Sequence, residues 1–262
     1  MPSAPLGTVW ARRALGGLVV ASALVLVTAS AARAESSSGS SAPVAETERA
    51  SYQQPLPSPV VSKTSHAARW AGLSGAQCWA EVGRRKLAVT RWRGTALGVQ
   101  TPVRVTGPIG GVRFVTPGQK SPYGILDCRL ALAFADLAEL LKKHDVVEVR
   151  IDNMYRPHAH LPGKKKPSQH SFGLAVDMTR LKLATGQELV VERDFDGAIG
   201  EPVCGEGARA ELPEDAHALR DLICDVARSE LFHHILTPNH DAAHRDHFHL
   251  DIARGARSRI IE

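Results

Sequence analysis

The sequence predicts an α+β fold, a mostly antiparallel sheet with flanking helices, and three observations predict it. Segments with strand-like alternation crowd into the second half of the chain, and two of them are joined through Ala184-Thr185-Gly186. Helical periods occur in separate blocks and do not rotate strictly with strands, which argues against a parallel βαβ arrangement. The span available for folding, roughly 195 residues, is enough for one core of ordinary size.

The first 66 residues lie outside that span. Arg12 and Arg13 precede an apolar run from Ala14 to about Thr28, and Ala32-Arg33-Ala34 supplies the small residues of a cleavage site, so residues 1–34 read as a secretory signal peptide. The run is short for a membrane span, and no cysteine near the cut offers a lipid attachment point, so no stable membrane insertion is expected once the signal is removed. An exported chain, periplasmic or secreted, follows. Residues 35–66 are rich in Ser, Pro and Ala without a sustained apolar period, and read as a disordered tether. The domain proper is expected at residues 67–262. Removing the signal takes away three arginines and no acid, lowering the formal charge from +5 to +2. With no concentrated Lys/Arg face, nucleic acid is not an expected partner.

Within the domain, Leu126, Leu130, Phe134, Leu137 and Leu141 recur at helical spacing, and the helix is expected to end near Lys142-Lys143-His144, where positive charge suits a C-terminus. "VVEVRIDNMY" reads as a strand, "RPHAHLPGKKKPSQ" as a Pro- and Gly-punctuated loop, and "GLAVDMTRLKL" and "LVVERDF" as a strand pair. A second helix is expected from Pro213 to about Ser229. "LFHHILTP" and "HFHLDIA" close the chain as two strands. All four cysteines fall in the domain, and an even number in an exported chain favours two disulfides. Cys78 with Cys128 and Cys204 with Cys224 is the preferred pairing, because each pair brackets one region. No C-x-x-C pair is present, so a thiolate metal site is not expected.

The chemistry concentrates in two stretches, "SQHSFGLAVD" at 168–177 and "HRDHFH" at 244–249. A catalytic zinc takes three protein ligands from His and Asp/Glu and leaves a fourth position open. His170 and Asp177 are too far apart for one helical turn, but a loop entering a strand can turn both inward, and Gly173 permits a tight fold or a close backbone approach. A strand period of two puts His247 and His249 on one face and Asp246 and Phe248 on the other. His170, Asp177 and one of the two histidines would form an open three-ligand site. His158-Ala159-His160 reads as loop histidines.

Taken together, Ser168-x-His170-x-x-Gly173-x-Ala175-x-Asp177 and the later His247-x-His249 resemble the signature of the D-alanyl-D-alanine metallopeptidases and murein endopeptidases, whose fold is shared with hedgehog domains. More narrowly, "LTPNHDAAHRDHFHLDI" with the upstream "YRP" resembles the bacterial extensin-like C-terminal domain, over roughly Gln77 to Ile252. The resemblance implies His170, Asp177 and His249 as Zn2+ ligands. It implies Asp246 or His247 as the proton acceptor, since Asp246 stands where carboxypeptidase relatives have a glutamate, and His244 extends the histidine array. Arg156 matches the arginine aimed at the substrate carboxylate or developing oxyanion, and Ser168 belongs to the substrate-binding motif. The implied activity is hydrolysis of peptidoglycan stem peptides or cross-links by metal-activated water. A wall-binding module that keeps the zinc without turnover is the other reading.

Overall fold

A computed structural model describes residues 50–262; the expected signal peptide and residues 35–49 of the expected tether lie outside the described residues. The sheet that positions the site has seven strands, in the order β10 (Ile260–Ile261), β8 (His234–Leu236), β9 (Phe248–Asp251), β6 (Ala175–Leu183), β5 (Val146–Asn153) and β3 (Arg113–Val115), with β7 (Glu188–Val190) also paired to β6. The β10/β8 and β3/β5 pairs are parallel and the others antiparallel. A smaller antiparallel sheet joins β1 (Val89–Arg91), β2 (Pro102–Val105) and β4 (Leu126–Asp127). Among the described residues, five α-helices flank the sheets: α1 (His66–Ala71), α2 (Gly75–Arg84), α3 (Cys128–Lys143), α4 (Val191–Asp194) and α5 (Glu214–Arg228). The α+β class holds.

The central helix is α3, whose Leu130, Leu132, Phe134, Leu137 and Leu141 are fully buried. Phe134 stacks on Phe114 of β3 at 4.7 Å between ring centroids. The expected helix began two residues too early: Leu126 sits in β4, and Asp127 ends that strand by capping α3, accepting the Arg129 N–H at 3.0 Å. A carboxylate at this position satisfies a donor that the first helical turn leaves unpaired. The same carboxylate holds the buried Arg129 guanidinium at 2.7 Å and accepts the Thr101 N–H, so no charge is buried alone.

Two other expectations are corrected. "LVVERDF" is a strand only as far as Val190; α4 follows, because the Asp194 carboxylate accepts the Val190 N–H at 2.7 Å and closes the chain into a turn. The tether does not reach His66. From Ala50 the chain is ordered against the domain, with Tyr52 fully buried, its hydroxyl donating to the Ala210 carbonyl and its N–H to Asp221. The Val61 N–H donates to the Arg257 carbonyl, and Ser65 caps α1. Gln53 Nε2 donates to the Ala208 carbonyl, and Leu56 packs against the core. The chain between His66 and Gly124, which sequence patterns left unassigned, supplies α1, α2 and β1 to β3.

Both expected disulfides are present. Cys78 of α2 joins Cys128 at the start of α3, and Cys204 joins Cys224 of α5. Among the described residues, no helix is long and apolar enough to cross a membrane.

Candidate metal centre

The register of β6 against β9 sets the site. Asp177 pairs directly with His249, and Met178 with Phe248. Directly paired residues of antiparallel strands project from the same face, and successive residues alternate. Met178 and Phe248, both fully buried, therefore point into the core, while Asp177 and His249 emerge together on the opposite face.

His170 arrives from the short 3-10 turn Gln169–Phe172 that feeds β6. Ser168 caps this turn, its hydroxyl oxygen accepting the His170 N–H at 3.3 Å. Gly173 ends it with φ +63°, and its carbonyl accepts the Asp127 N–H at 2.8 Å. A Cβ on Gly173 would lie 2.9 Å from that same nitrogen, so both the backbone angle and the close approach require glycine. The turn is also tied to the end of β5: the Arg156 N–H donates to the His170 carbonyl, and His170 Nδ1 lies 3.1 Å from the Met154 carbonyl.

His170 Nε2, Asp177 Oδ1 and His249 Nδ1 form a triangle with edges of 3.1, 3.1 and 3.0 Å. Each inward atom has its outward partner. His170 Nδ1–H donates to Met154, His249 Nε2 lies 3.3 Å from Asp251, and Asp177 Oδ2 accepts from Asn153 Nδ2 at 2.8 Å. With the ring protons outward, all three inward atoms are lone pairs aimed at one point. A cation or a proton has to sit among them. Ligands at zinc bond lengths of 2.0–2.1 Å in tetrahedral geometry stand about 3.3 Å apart, so the triangle needs only slight expansion to hold that ion. The outward carboxylate and carbonyl partners are those that orient histidine ligands in metal sites. The residues fit zinc.

The charge balance of the triad is consistent with this. Burial alone would lower the pKa of His249, but its hydrogen bonds to Asp177 and Asp251 outweigh burial and push it up to about 9. Burial alone would raise Asp177, and the hydrogen bonds from His170 and His249 hold it well below the usual carboxylate range. Burial lowers His170 despite the neighbouring Asp177. Burial would also raise Asp251, which contacts with His234 and His249 bring down to about 2.

Beside the triad opens a cleft of about 660 Å³, lined among others by Arg156, His160, Ser168, His244, His247 and His249. His247 lines it with Nε2 3.5 Å from Asp177 Oδ1, and its Nδ1 lies 2.6 Å from Asp246 Oδ1. His247 precedes β9, yet it faces the same side as His249, as the period of two predicts. Asp246 lies behind His247, 61% exposed, and does not line the cleft. His244, whose ring is 5.2 Å from that of His247, is hydrogen-bonded to Asp241 at 2.7 Å; burial lowers its pKa against that contact. Arg156 is exposed at the rim, and among the described residues its guanidinium has no ion-pair partner. Ser168 lines the cleft but acts as the cap that holds His170. Of the loop histidines, His160 faces the cleft.

Sequence patterns missed the outer partners. Asp251 was within reach, since it stands two residues after His249 on the same strand face. Asn153 and His234 carried no signal, because their roles depend on which strands are neighbours.

The family profile described as "Extensin-like protein C-terminus" matches residues 76–261. No curated protein and no solved structure gives a significant match.

Proposed function

The chain belongs to the extensin-like protein C-terminus family, and from that premise we propose that it is an exported, zinc-dependent peptidase acting on peptidoglycan stem peptides or cross-links. The observation that carries the proposal is the convergence of His170 Nε2, Asp177 Oδ1 and His249 Nδ1 beside a cleft of about 660 Å³ whose lining includes His249. His170, Asp177 and His249 would hold the ion. Zinc so held supplies Lewis acidity, polarising a carbonyl and acidifying water.

The chain's own side chains supply the rest. His247, held by Asp246 on one ring nitrogen, presents the other toward the triad, the arrangement of a general base oriented by a carboxylate. Asp246 is a positioning residue in this scheme. Arg156 at the rim is free to take a substrate carboxylate or a developing oxyanion. Two disulfides suit an oxidising, extracytoplasmic compartment.

The test is muropeptide analysis of sacculi digested by the purified chain, with the metal content of each variant measured alongside. His170→Ala, Asp177→Ala and His249→Ala should lose both zinc and cleavage. His247→Ala should keep zinc and lose about a hundred- to ten-thousandfold in rate. Retention of zinc in all three ligand variants refutes the ligand set. Zinc-dependent binding to sacculi without any cleavage by the parent would make the domain a wall-binding module instead.

A further inference from the structure

Next to the triad lies a second group of donors that the peptidase scheme leaves mostly unused. We infer that His240, Asp241 and His244 form a second, weaker site for a divalent transition metal such as Zn2+.

The local backbone builds this group. Asp241 caps the 3-10 turn Ala242–His244, its Oδ1 accepting the N–H groups of Ala243 and His244. That cap fixes the carboxylate between the two histidines, with His244 Nδ1 2.7 Å from Oδ1 and His240 Nε2 3.5 Å from Oδ2. One ligand atom from each residue lies within 4.8 Å of the others.

A separate feature points to a ligand. His240 Nδ1 is 2.8 Å from Glu262 Oε2, and Glu262 is itself anchored by backbone hydrogen bonds to Thr237 and Ile235. A carboxylate on one ring nitrogen keeps the proton there and leaves Nε2 as a lone pair, here turned toward Asp241. The same carboxylate–histidine pairing occurs at the buried triad, between Asp251 and His249.

The donor set of two imidazoles and a carboxylate suits zinc and its neighbours and not calcium or magnesium, which take oxygen ligands. The triangle is looser than that of the triad, and its side chains are 29%, 42% and 16% exposed, so they have room to close but must do so on binding. Weaker affinity than at the triad follows. The His244 ring is 5.9 Å from that of His249 and shares the cleft with it. His240, Asp241 and His244 all line that cleft, so, on the proposed function, an ion held by them would narrow it, and zinc beyond one equivalent should slow the reaction there.

Equilibrium dialysis of the full chain against graded free Zn2+, with elemental analysis, tests the site. The parent should take up two equivalents. His240→Ala should remove the weaker and retain the stronger, His170→Ala should remove the stronger, and Glu262→Gln should weaken the second about 10- to 100-fold without disturbing the first. Saturation at one equivalent, lost in His170→Ala and kept in His240→Ala, overturns the second site and leaves the proposed function standing. A second equivalent that survives His240→Ala overturns it as well. A single equivalent lost in His240→Ala but kept in His170→Ala would uphold this site and refute the assignment of zinc to the buried triad.

Discussion

On the proposed ligand set a proton and a metal ion would compete for one place at the buried triad, and Asp251→Asn separates them. In the metal-free chain the hydrogen bonds to Asp177 and Asp251 overcome burial and hold the His249 pKa at about 9, against 6.5 for an ordinary histidine. That difference corresponds to about 3 kcal/mol. Because the folded pKa is raised, this stabilisation is fully present below pH 6.5 and is lost as pH rises through about 9. A zinc ion must displace the same proton, so its apparent affinity should climb about tenfold per pH unit across that window. Asp251→Asn removes one of the two carboxylates that hold the proton. The His249 ring should then titrate closer to 6.5, and its share of the pH dependence of zinc binding should shrink. Above pH 9, where the proton no longer competes, the variant should bind zinc about 10- to 100-fold more weakly than the parent, having lost the outer partner of a ligand. Ring resonances of the metal-free chain followed by NMR give the midpoint directly, and competition against a chromophoric chelator, corrected for its own protonation, gives the affinities. A His249 ring that titrates at or below pH 6.5 in the parent would refute the reasoning.

Gly173→Ala should destabilise the domain by about 1–3 kcal/mol, since the new methyl meets the Asp127 amide at a φ of +63°; strain at a special backbone angle acts on this scale. Urea unfolding reads the loss, and unchanged stability would mean the turn before β6 shifts freely. Opening the Cys204–Cys224 bridge with a double Ser variant should lower stability by about 3 kcal/mol, and opening Cys78–Cys128, which closes a longer loop of 50 residues, by about 4 kcal/mol. The midpoints of the same denaturation series check the order of the two effects.

Elements whose pattern is local were legible in the sequence. The α3 helix, the turn at 184–186 and the strand carrying His249 follow from period and punctuation, which need no partner. The ligand candidates were legible for a related reason: a histidine on a capped turn, a glycine and an aspartate entering a strand constrain one another within ten residues. Tyr52 was not legible, because nothing within the Ser- and Pro-rich segment shows that Asp221 and the Ala210 carbonyl, more than 150 residues away, will receive it. The outer partners Asn153 and His234 escaped in the same way, being set by the β5/β6 and β8/β9 registers.

The choice between Asp246 and His247 shows what geometry adds to such a pattern. By spacing alone either could serve as the base, since each lies within three residues of His249. The structure sends them in different directions: β9 begins at Phe248, whose side chain is driven into the core against Phe195, and the residue before it must therefore turn to the cleft side. That residue is His247. Asp246 is left behind it, mostly in water, where its carboxylate can hold His247 but cannot itself reach the triad. On the proposed function the base therefore need not be a carboxylate, because the imidazole of His247 can take that role. The variants then order themselves: Asp246→Asn should slow peptidoglycan cleavage less than His247→Ala, with zinc retained in both. The reverse order, measured on the same sacculi, would return the proton to Asp246.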